Sequence, residues 1–192
     1  MLALVGFSFV STVTPGPNNV LLWASGATFG VRASLRHVVG TAFGIGAMAL
    51  VVAAGLGALV TAIPEVALVM KLAASAYLLY LAYQVAGAHA LERGVLGRPL
   101  GLVQAAAFQV VNPKAWIFAL GAIAAFRPAG LSALAGSVLV ALTMAIVVIP
   151  TAAVWAAAGG ALAGWLAADR AGRAVSVALA ALLAATVVFV WI

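Results

Sequence analysis

Long apolar runs, separated by short stretches that hold the few charged residues, cover almost the whole chain. A helix needs about 20 apolar residues to cross a hydrocarbon core of about 30 Å, and several runs come close to that length or exceed it. The pattern therefore predicts six transmembrane helices, over Leu2–Thr28, Val38–Ala62, Val66–Ala88, Leu102–Ala125, Leu131–Ala157 and Val175–Ile192. The longest polar stretch is His89–Gly101, so residues 1–192 are predicted to form a single transmembrane domain.

The composition of the chain excludes several classes of protein other than a membrane protein. Hydrophobic residues make up 67% of the chain and charged residues 6%, whereas soluble domains have about 45–50% and about 25%. So few charges cannot cover a water-soluble fold, which excludes a soluble enzyme and a disordered chain. The net charge of +6 would suit a nucleic-acid-binding domain, but the basic residues lie singly between apolar runs and form no basic face. The expected partner is the lipid bilayer and not nucleic acid.

The basic residues predict how the chain is oriented in the membrane. Cytoplasmic connections carry an excess of Lys and Arg. Alternate connections hold Arg32 and Arg36, then Arg93 and Arg98, then Arg170 and Arg173, while the other two hold Lys71 and Arg127. The first, third and fifth connections are therefore predicted to be cytoplasmic, with both termini on the periplasmic side.

Two of the predicted spans are interrupted by proline. The uncharged stretch from Met1 to Val31 would run to roughly 46 Å as one straight helix, and Thr14-Pro15-Gly16-Pro17-Asn18-Asn19 lies in its middle. Prolines remove backbone donors and obstruct the preceding turn. In the fourth span, Asn112-Pro113-Lys114 interrupts an apolar run in the same way. Backbone groups freed at this depth must be satisfied by protein, water or ligand.

The positions of the two breaks predict an internal repeat. Three spans separate them, so the two halves of the chain cross the membrane in opposite directions. Paired interrupted helices in inverted repeats mark a binding site at the bilayer midplane. The predicted fold is an all-α membrane protein of two inverted three-helix repeats, over about 1–88 and 102–192, each with a broken first helix. We expect the two breaks to meet in space.

The motifs resemble those of the LysE/RhtB family of amino-acid exporters. The resemblance rests on Thr14-Pro15-Gly16-Pro17-Asn18, Gly30-Val31-Arg32, Gly40 and Gly44, Ala76-Tyr77-Leu78, and Phe108 with Asn112-Pro113-Lys114. It covers the whole chain in order, spacing and length. Thr14–Asn19 and Trp155–Gly160 are most similar to the cysteine/O-acetylserine exporter branch. Many members have a histidine in the second helix near the place of Met48, and this chain lacks it, so no role of that histidine can be transferred.

The resemblance implies a function and a location. Members of this family export amino acids or close derivatives from the bacterial cytoplasm, driven by the proton gradient. The chain is accordingly expected in the bacterial inner membrane, with a small amino acid or derivative as substrate and with no cofactor. Its assembly, for example as a homodimer, stays open.

Lys114 is the residue with the strongest chemical interpretation. A cation at membrane depth is costly and is a functional-site hypothesis by default. It could bind a substrate carboxylate or exchange a proton; the competing interpretation is a lysine that snorkels along its stem to the interface.

The polar residues of the two breaks also allow more than one interpretation. Asn18 and Asn112 carry amides that can either satisfy broken-helix carbonyls or bind the charged groups of a zwitterion, and Asn19 is interpreted as structural. The half-helix that starts after Pro17 presents free N–H groups, where a carboxylate could bind. Thr14 is predicted to lie at or near the cap of that half-helix.

Tyr77, Tyr80 and Gln84 share one face of the third span at i, i+3 and i+7. That face is predicted to look into the protein, where it could pack or line a substrate pathway. Pairs of small residues, such as Gly40 with Gly44 and Gly159 with Gly160, predict close helix packing.

The acidic residues and histidines limit the possible functions. Glu65, Glu92 and Asp169 fall at span ends or in connections, which disfavours an exporter of metal cations. It also leaves Lys114 or the substrate's own amino group to carry a proton. His37 and His89 are predicted near membrane ends, so an intramembrane enzyme has no evident catalytic pair. A membrane channel and a structural helix-packing subunit stay open beside the exporter.

Overall fold

The computed structural model describes residues 1–56, 62–87, 98–166 and 169–191. Every regular element in these ranges is helical, which confirms the predicted all-α class. The elements in chain order are α1 (Leu2–Val13), α2 (Pro17–Phe29), α3 (Val31–Val51) with a π-helical continuation (Val52–Leu56), α4 (Pro64–Gly87), α5 (Leu102–Val111), α6 (Pro113–Phe126), α7 (Ala133–Leu166), α8 (Asp169–Thr186) and α9 (Val188–Trp191).

Length and apolarity identify some of these helices as membrane-spanning. Within the described ranges, Val31–Leu56 and Ala133–Ala163 are each long and apolar enough to cross a bilayer. The consecutive helices α5 and α6, bent by 79° at their junction, give a third span if they are counted together. Helix α1 and the segment Arg173–Thr186 are shorter apolar helices. The chain is therefore a multi-pass membrane protein.

Several helices continue past the predicted boundaries of the apolar spans. Helix α3 starts at Val31 and not at Val38, since the exposed Arg32 and Arg36 occupy its first turns. Helix α7 continues to Leu166, beyond the predicted end at Ala157, and α8 begins at Asp169, before the predicted start at Val175. Charged and small residues are compatible with a helix end that extends beyond the hydrocarbon core.

Both predicted breaks are present, and in each a proline starts the second half-helix. Pro17 is the first residue of α2 after the extended Gly16, and Pro113 is the first residue of α6 after the extended Asn112. A proline at this position costs little because the first N–H groups of a helix have no intrahelical partner. Thr14 does not cap α2 as predicted: it ends α1, and its hydroxyl donates to Ser11 O over 3.1 Å.

The helices pack in a reciprocal pattern. The broken pair α1 and α2 packs against α7, and the broken pair α5 and α6 packs against α3. The two long helices α3 and α7 also contact each other, as do α4 and α8. The main apolar core lies between α3, α6 and α7 and includes Ile45, Phe118 and Met144.

Small residues allow the close helix approaches that the sequence predicts. A Cβ at Gly26 would overlap Ala156 O, and one at Gly159 would overlap Trp23 O, so α2 and α7 meet backbone to backbone. A Cβ at Gly44 would lie 2.7 Å from Ala106 O, and Gly40 faces the carbonyl of Leu102 at the same α3–α5 crossing. These crossings bring the two breaks to the same part of the protein.

Candidate functional site

A cavity of about 40 Å³ lies between the two breaks. Among the described residues that line it, one side chain is cationic and none is acidic. Its polar lining consists of Ser11, Thr12, Asn18, Asn19, Thr41, Gln109, Asn112, Lys114 and Thr151.

Lys114 joins the two breaks directly. Its ammonium group donates to Thr14 O over 2.6 Å, to Thr14 Oγ1 over 2.8 Å and to Pro15 O over 3.2 Å. An ammonium has three donors, so these oxygens of the first break account for all of them. The prediction that the breaks meet in space is confirmed, since the partners lie about a hundred residues apart along the chain.

Asn19 satisfies further carbonyls at the end of α1. Its side-chain amide donates to Thr12 O and to Thr14 O, each over 2.8 Å. These carbonyls lie where the break interrupts the regular hydrogen bonding of a helix. The structural role predicted for Asn19 is therefore confirmed by its contacts.

A second set of hydrogen bonds connects the breaks through Gln109. The orientation of the Gln109 side-chain amide is fixed by one backbone carbonyl. Gln109 Nε2 donates to Ala105 O over 3.0 Å, and a carbonyl can only accept, so the orientation of this amide is determined. The same nitrogen donates to Asn18 Oδ1 over 3.1 Å, and Gln109 Oε1 accepts from Asn112 Nδ2 over 3.0 Å.

Asn18 Oδ1 accepts from two helices at once. Besides Gln109 on α5, the Thr41 hydroxyl lies 3.1 Å away and His37 Nε2 lies 3.3 Å away, both on α3. The Thr41 hydroxyl has one proton, which it shares between this oxygen and His37 O at 3.0 Å. Asn18 is 7% exposed and His37 is fully buried. The amide oxygen of Asn18 therefore holds α2, α3 and α5 together.

Three buried polar atoms have no hydrogen-bond partner among the described residues. They are Ser8 Oγ, His37 Nδ1 and Asn112 Oδ1. Because Asn112 Nδ2 is committed to Gln109, its oxygen is left without a donor. Buried polar atoms normally have a partner, so an atom of this kind in the lining of a cavity indicates a place for a bound group.

The predicted site residues of the two breaks differ in their contacts with the cavity. Thr14 and Pro15 contribute oxygens to Lys114, and a Cβ at Gly16 would lie 2.8 Å from Lys114 Cδ. Asn18, Asn112 and Lys114 line the cavity, while Pro17 and Pro113 act through the half-helices that they start.

The predicted tyrosine face does not reach this cavity. Tyr77 packs on Phe108, with ring centroids 5.7 Å apart, and Tyr80 is 55% exposed. Neither residue is in the lining. Of the two roles open to Tyr77, the contacts therefore support packing. The side chain of Gln84 lies outside the described residues.

Sequence reasoning missed His37 and Thr41 and did not place Gln109. The position predicted for His37 near a membrane end stays a prediction, but its side chain faces the protein interior from α3, one helical turn before Thr41. Its neighbour Arg36 is exposed, and a charged residue of this kind is typical of a membrane anchor. A polar pair at i and i+4 inside an otherwise apolar helix was the available signal.

Comparisons with known proteins identify the family of the chain. The profile of the LysE type translocator family matches residues 9–191. The cysteine/O-acetylserine efflux proteins of Escherichia coli and Shigella sonnei are 28% identical to the chain over 153 residues, which is 80% of this chain and 78% of theirs. No solved structure matches at a significant level. Since the family profile covers nearly the whole chain, this protein belongs to the LysE-type translocator family and is a membrane transporter, not an enzyme.

Proposed function

We propose that this protein is a six-span secondary transporter that exports small amino acids or close derivatives from the bacterial cytoplasm, coupled to the proton gradient. The observation that carries the proposal is the cavity between the two breaks, which presents the ammonium of Lys114 and the unpaired Oδ1 of Asn112. The efflux proteins that the chain resembles are named for cysteine and O-acetylserine, which are small zwitterions or derivatives of this kind.

The two groups match the two ends of an amino acid. A carboxylate would bind Lys114 through a charge-assisted hydrogen bond, the stronger class of such bonds. An α-ammonium would donate to Asn112 Oδ1, which has no donor among the described residues. The small cavity, of about 40 Å³, favours a substrate with a small side chain.

Substrate binding at Lys114 would change the contacts that hold the breaks. All three donors of the ammonium are engaged with Thr14 and Pro15, so a carboxylate has to replace one of these oxygens. Thr14 Oγ1 is the most replaceable of them, because a hydroxyl can rotate and donate to the carboxylate itself. Binding is thereby linked to the geometry of the hinge between α1 and α2, as alternating access requires.

The packing pattern supports the inverted repeat. Each broken helix pair contacts the long helix of the other half, and the long helices α3 and α7 contact each other, as do α4 and α8. A pseudo-two-fold axis in the membrane plane would produce this reciprocity. We infer the six spans by counting each broken pair as one.

We further propose an inner-membrane location with both termini in the periplasm, on the basis of the Lys and Arg distribution. A reporter that fluoresces only in the cytoplasm, fused after Ile192, is expected to be silent. A periplasm-active enzyme fused at the same point is the matched control and should be active. Strong fluorescence from the first fusion would reverse the proposed topology.

The function is tested with purified protein in liposomes. Vesicles loaded with unlabelled cysteine or O-acetylserine are expected to accumulate the labelled compound by counterflow, and to accumulate glutamate or lysine far less. Counterflow needs a carrier that binds one substrate per cycle, so a channel or a structural subunit would not produce it. If no amino acid in a broad panel shows saturable counterflow above protein-free liposomes, the proposed function is wrong.

A further inference from the structure

His37 is a buried titratable residue that the binding of a zwitterion does not use. It is fully buried on α3, and its Nε2 lies 3.3 Å from Asn18 Oδ1. Asn18 lines the substrate cavity, so the imidazole is separated from that cavity by a single side chain.

The hydrogen-bond pattern determines which ring nitrogen can take a proton. The orientation of Gln109 is fixed by Ala105 O, and it donates to Asn18, so the atom of Asn18 that faces His37 is an oxygen. An oxygen only accepts, and Nε2 must therefore carry the hydrogen. The neutral ring then keeps its lone pair at Nδ1, which is buried and has no partner among the described residues.

Among the helices that the structure describes around His37, almost no other group could exchange a proton. Helix α3 packs against α2, α5, α6 and α7. The sequences of α2, α5 and α7 contain no titratable side chain, and α6 contributes only Lys114. On α3 itself, Arg32 and Arg36 are exposed and line a second cavity together with Arg98. No acidic side chain belongs to any of these helices.

We propose, on the basis of the exporter function proposed above, that His37 carries the coupling proton. Nδ1 takes a proton from water on one side of the membrane in one access state and returns it to water on the other side in the opposite state. In the conformation described here Nδ1 has no acceptor for a second hydrogen, so this conformation fits the neutral ring. A charged ring needs an acceptor at Nδ1, which requires α3 or its neighbours to move.

Asn18 provides the link between the proton and the substrate. A charged imidazole donates more strongly from Nε2 to Asn18 Oδ1 than a neutral one. The same oxygen accepts from Gln109, whose own oxygen holds Asn112 Nδ2. Protonation of His37 therefore acts on the amide that presents the free oxygen to the substrate, and by linkage the substrate acts on His37.

The test separates substrate exchange from proton coupling. The variant His37→Gln keeps an N–H that can donate to Asn18 but cannot titrate. In proteoliposomes with a trapped pH dye, we expect its cysteine counterflow at equal pH to be retained, with at most a severalfold reduction. Substrate-evoked proton flux and accumulation driven by a pH gradient should both fall to the level of protein-free vesicles. The matched control is His89→Gln, at the chain's other histidine, which should keep both activities.

The outcomes distinguish this inference from the proposed function. Wild-type protein that shows no counterflow overturns the exporter function, and the role of His37 falls with it. Wild-type counterflow combined with normal pH-driven accumulation in His37→Gln leaves the exporter intact and overturns His37 as the proton carrier. If His37→Gln does not fold, His37→Asn is measured in the same way. Independently of any variant, a wild-type counterflow rate that shows no dependence on pH would also overturn the inference.

Discussion

Lys114→Met is expected to lower export by about tenfold to a hundredfold at matched expression. The substitution keeps most of the length of the stem and removes the charge that would bind a substrate carboxylate. Hydrogen bonds to charged groups contribute about 1.5–3 kcal/mol, and about 1.4 kcal/mol corresponds to a factor of ten in rate. The measurement is the initial rate of labelled substrate export from vesicles with equal amounts of transporter.

The same change at the chain's other lysine is the control. Lys71 lies on α4, with its ammonium 5.6 Å from the centre of the Trp191 ring, and is not part of the cavity lining. Lys71→Met should export at close to the wild-type rate. Lys114→Arg should be impaired although it keeps the charge, because a planar guanidinium is larger than the ammonium that the site holds. Export at the wild-type rate by Lys114→Met would make Lys114 an anchor without a role in transport.

The structure changes what Lys114→Met should do to stability. The sequence alone predicts that removal of an uncompensated cation leaves folding intact or improves it. The ammonium is instead compensated by three oxygens, and Pro15 O has Lys114 as its donor. Thr14 O would still accept from Asn19. Thr14 and Pro15 are exposed, so the oxygens that lose their donor are not buried, and we expect a loss of about 1 kcal/mol in the free energy of unfolding, the net contribution of a typical hydrogen bond.

The parts of the fold that follow from local chemistry could be predicted from the sequence. Two prolines within a few residues must interrupt a helix, and a lysine inside an apolar segment must find oxygens, so the breaks and the need of Lys114 for partners were accessible. Their convergence followed from the count of spans between them. The start of α3 and the end of α7 could not be predicted as well, because a helix can continue past the apolar residues from which it is predicted.

The rotation of each helix about its axis could not be predicted, and this is where the candidate site was incomplete. Asn18 and Gln109 are 91 residues apart, and only the packing of α2, α3 and α5 brings them together. For the same reason the sequence left open whether Tyr77 and Tyr80 pack or line a substrate path, and in the structure Tyr77 packs on Phe108. The charged neighbour of His37 indicates a membrane end, although the histidine side chain itself turns inward.

The second large effect is expected at Asn18. In Asn18→Leu the side chain keeps a similar size but loses the oxygen that receives three donors. Thr41 and Gln109 still have backbone carbonyls to donate to, whereas His37 Nε2 loses its partner in the described structure. We expect a loss of stability of about 1–3 kcal/mol, measured by unfolding in detergent, and loss of substrate counterflow because the position of the Asn112 amide is no longer fixed through Gln109.

Two further variants show whether the oxygen of Asn18 or merely its polarity is needed. Asn18→Asp keeps acceptors for all three donors, so its stability should return toward that of the wild type. Its transport should stay low, because a carboxylate in the cavity repels the carboxylate of the substrate.

Asn19→Leu removes the bonds to Thr12 O and Thr14 O and should also lower stability by about 1–3 kcal/mol, but the folded fraction should still exchange substrate. If Asn18→Leu and Asn19→Leu have the same counterflow per folded protein, Asn18 only supports the fold, and the connection from His37 through Asn18 to Asn112 has no part in transport.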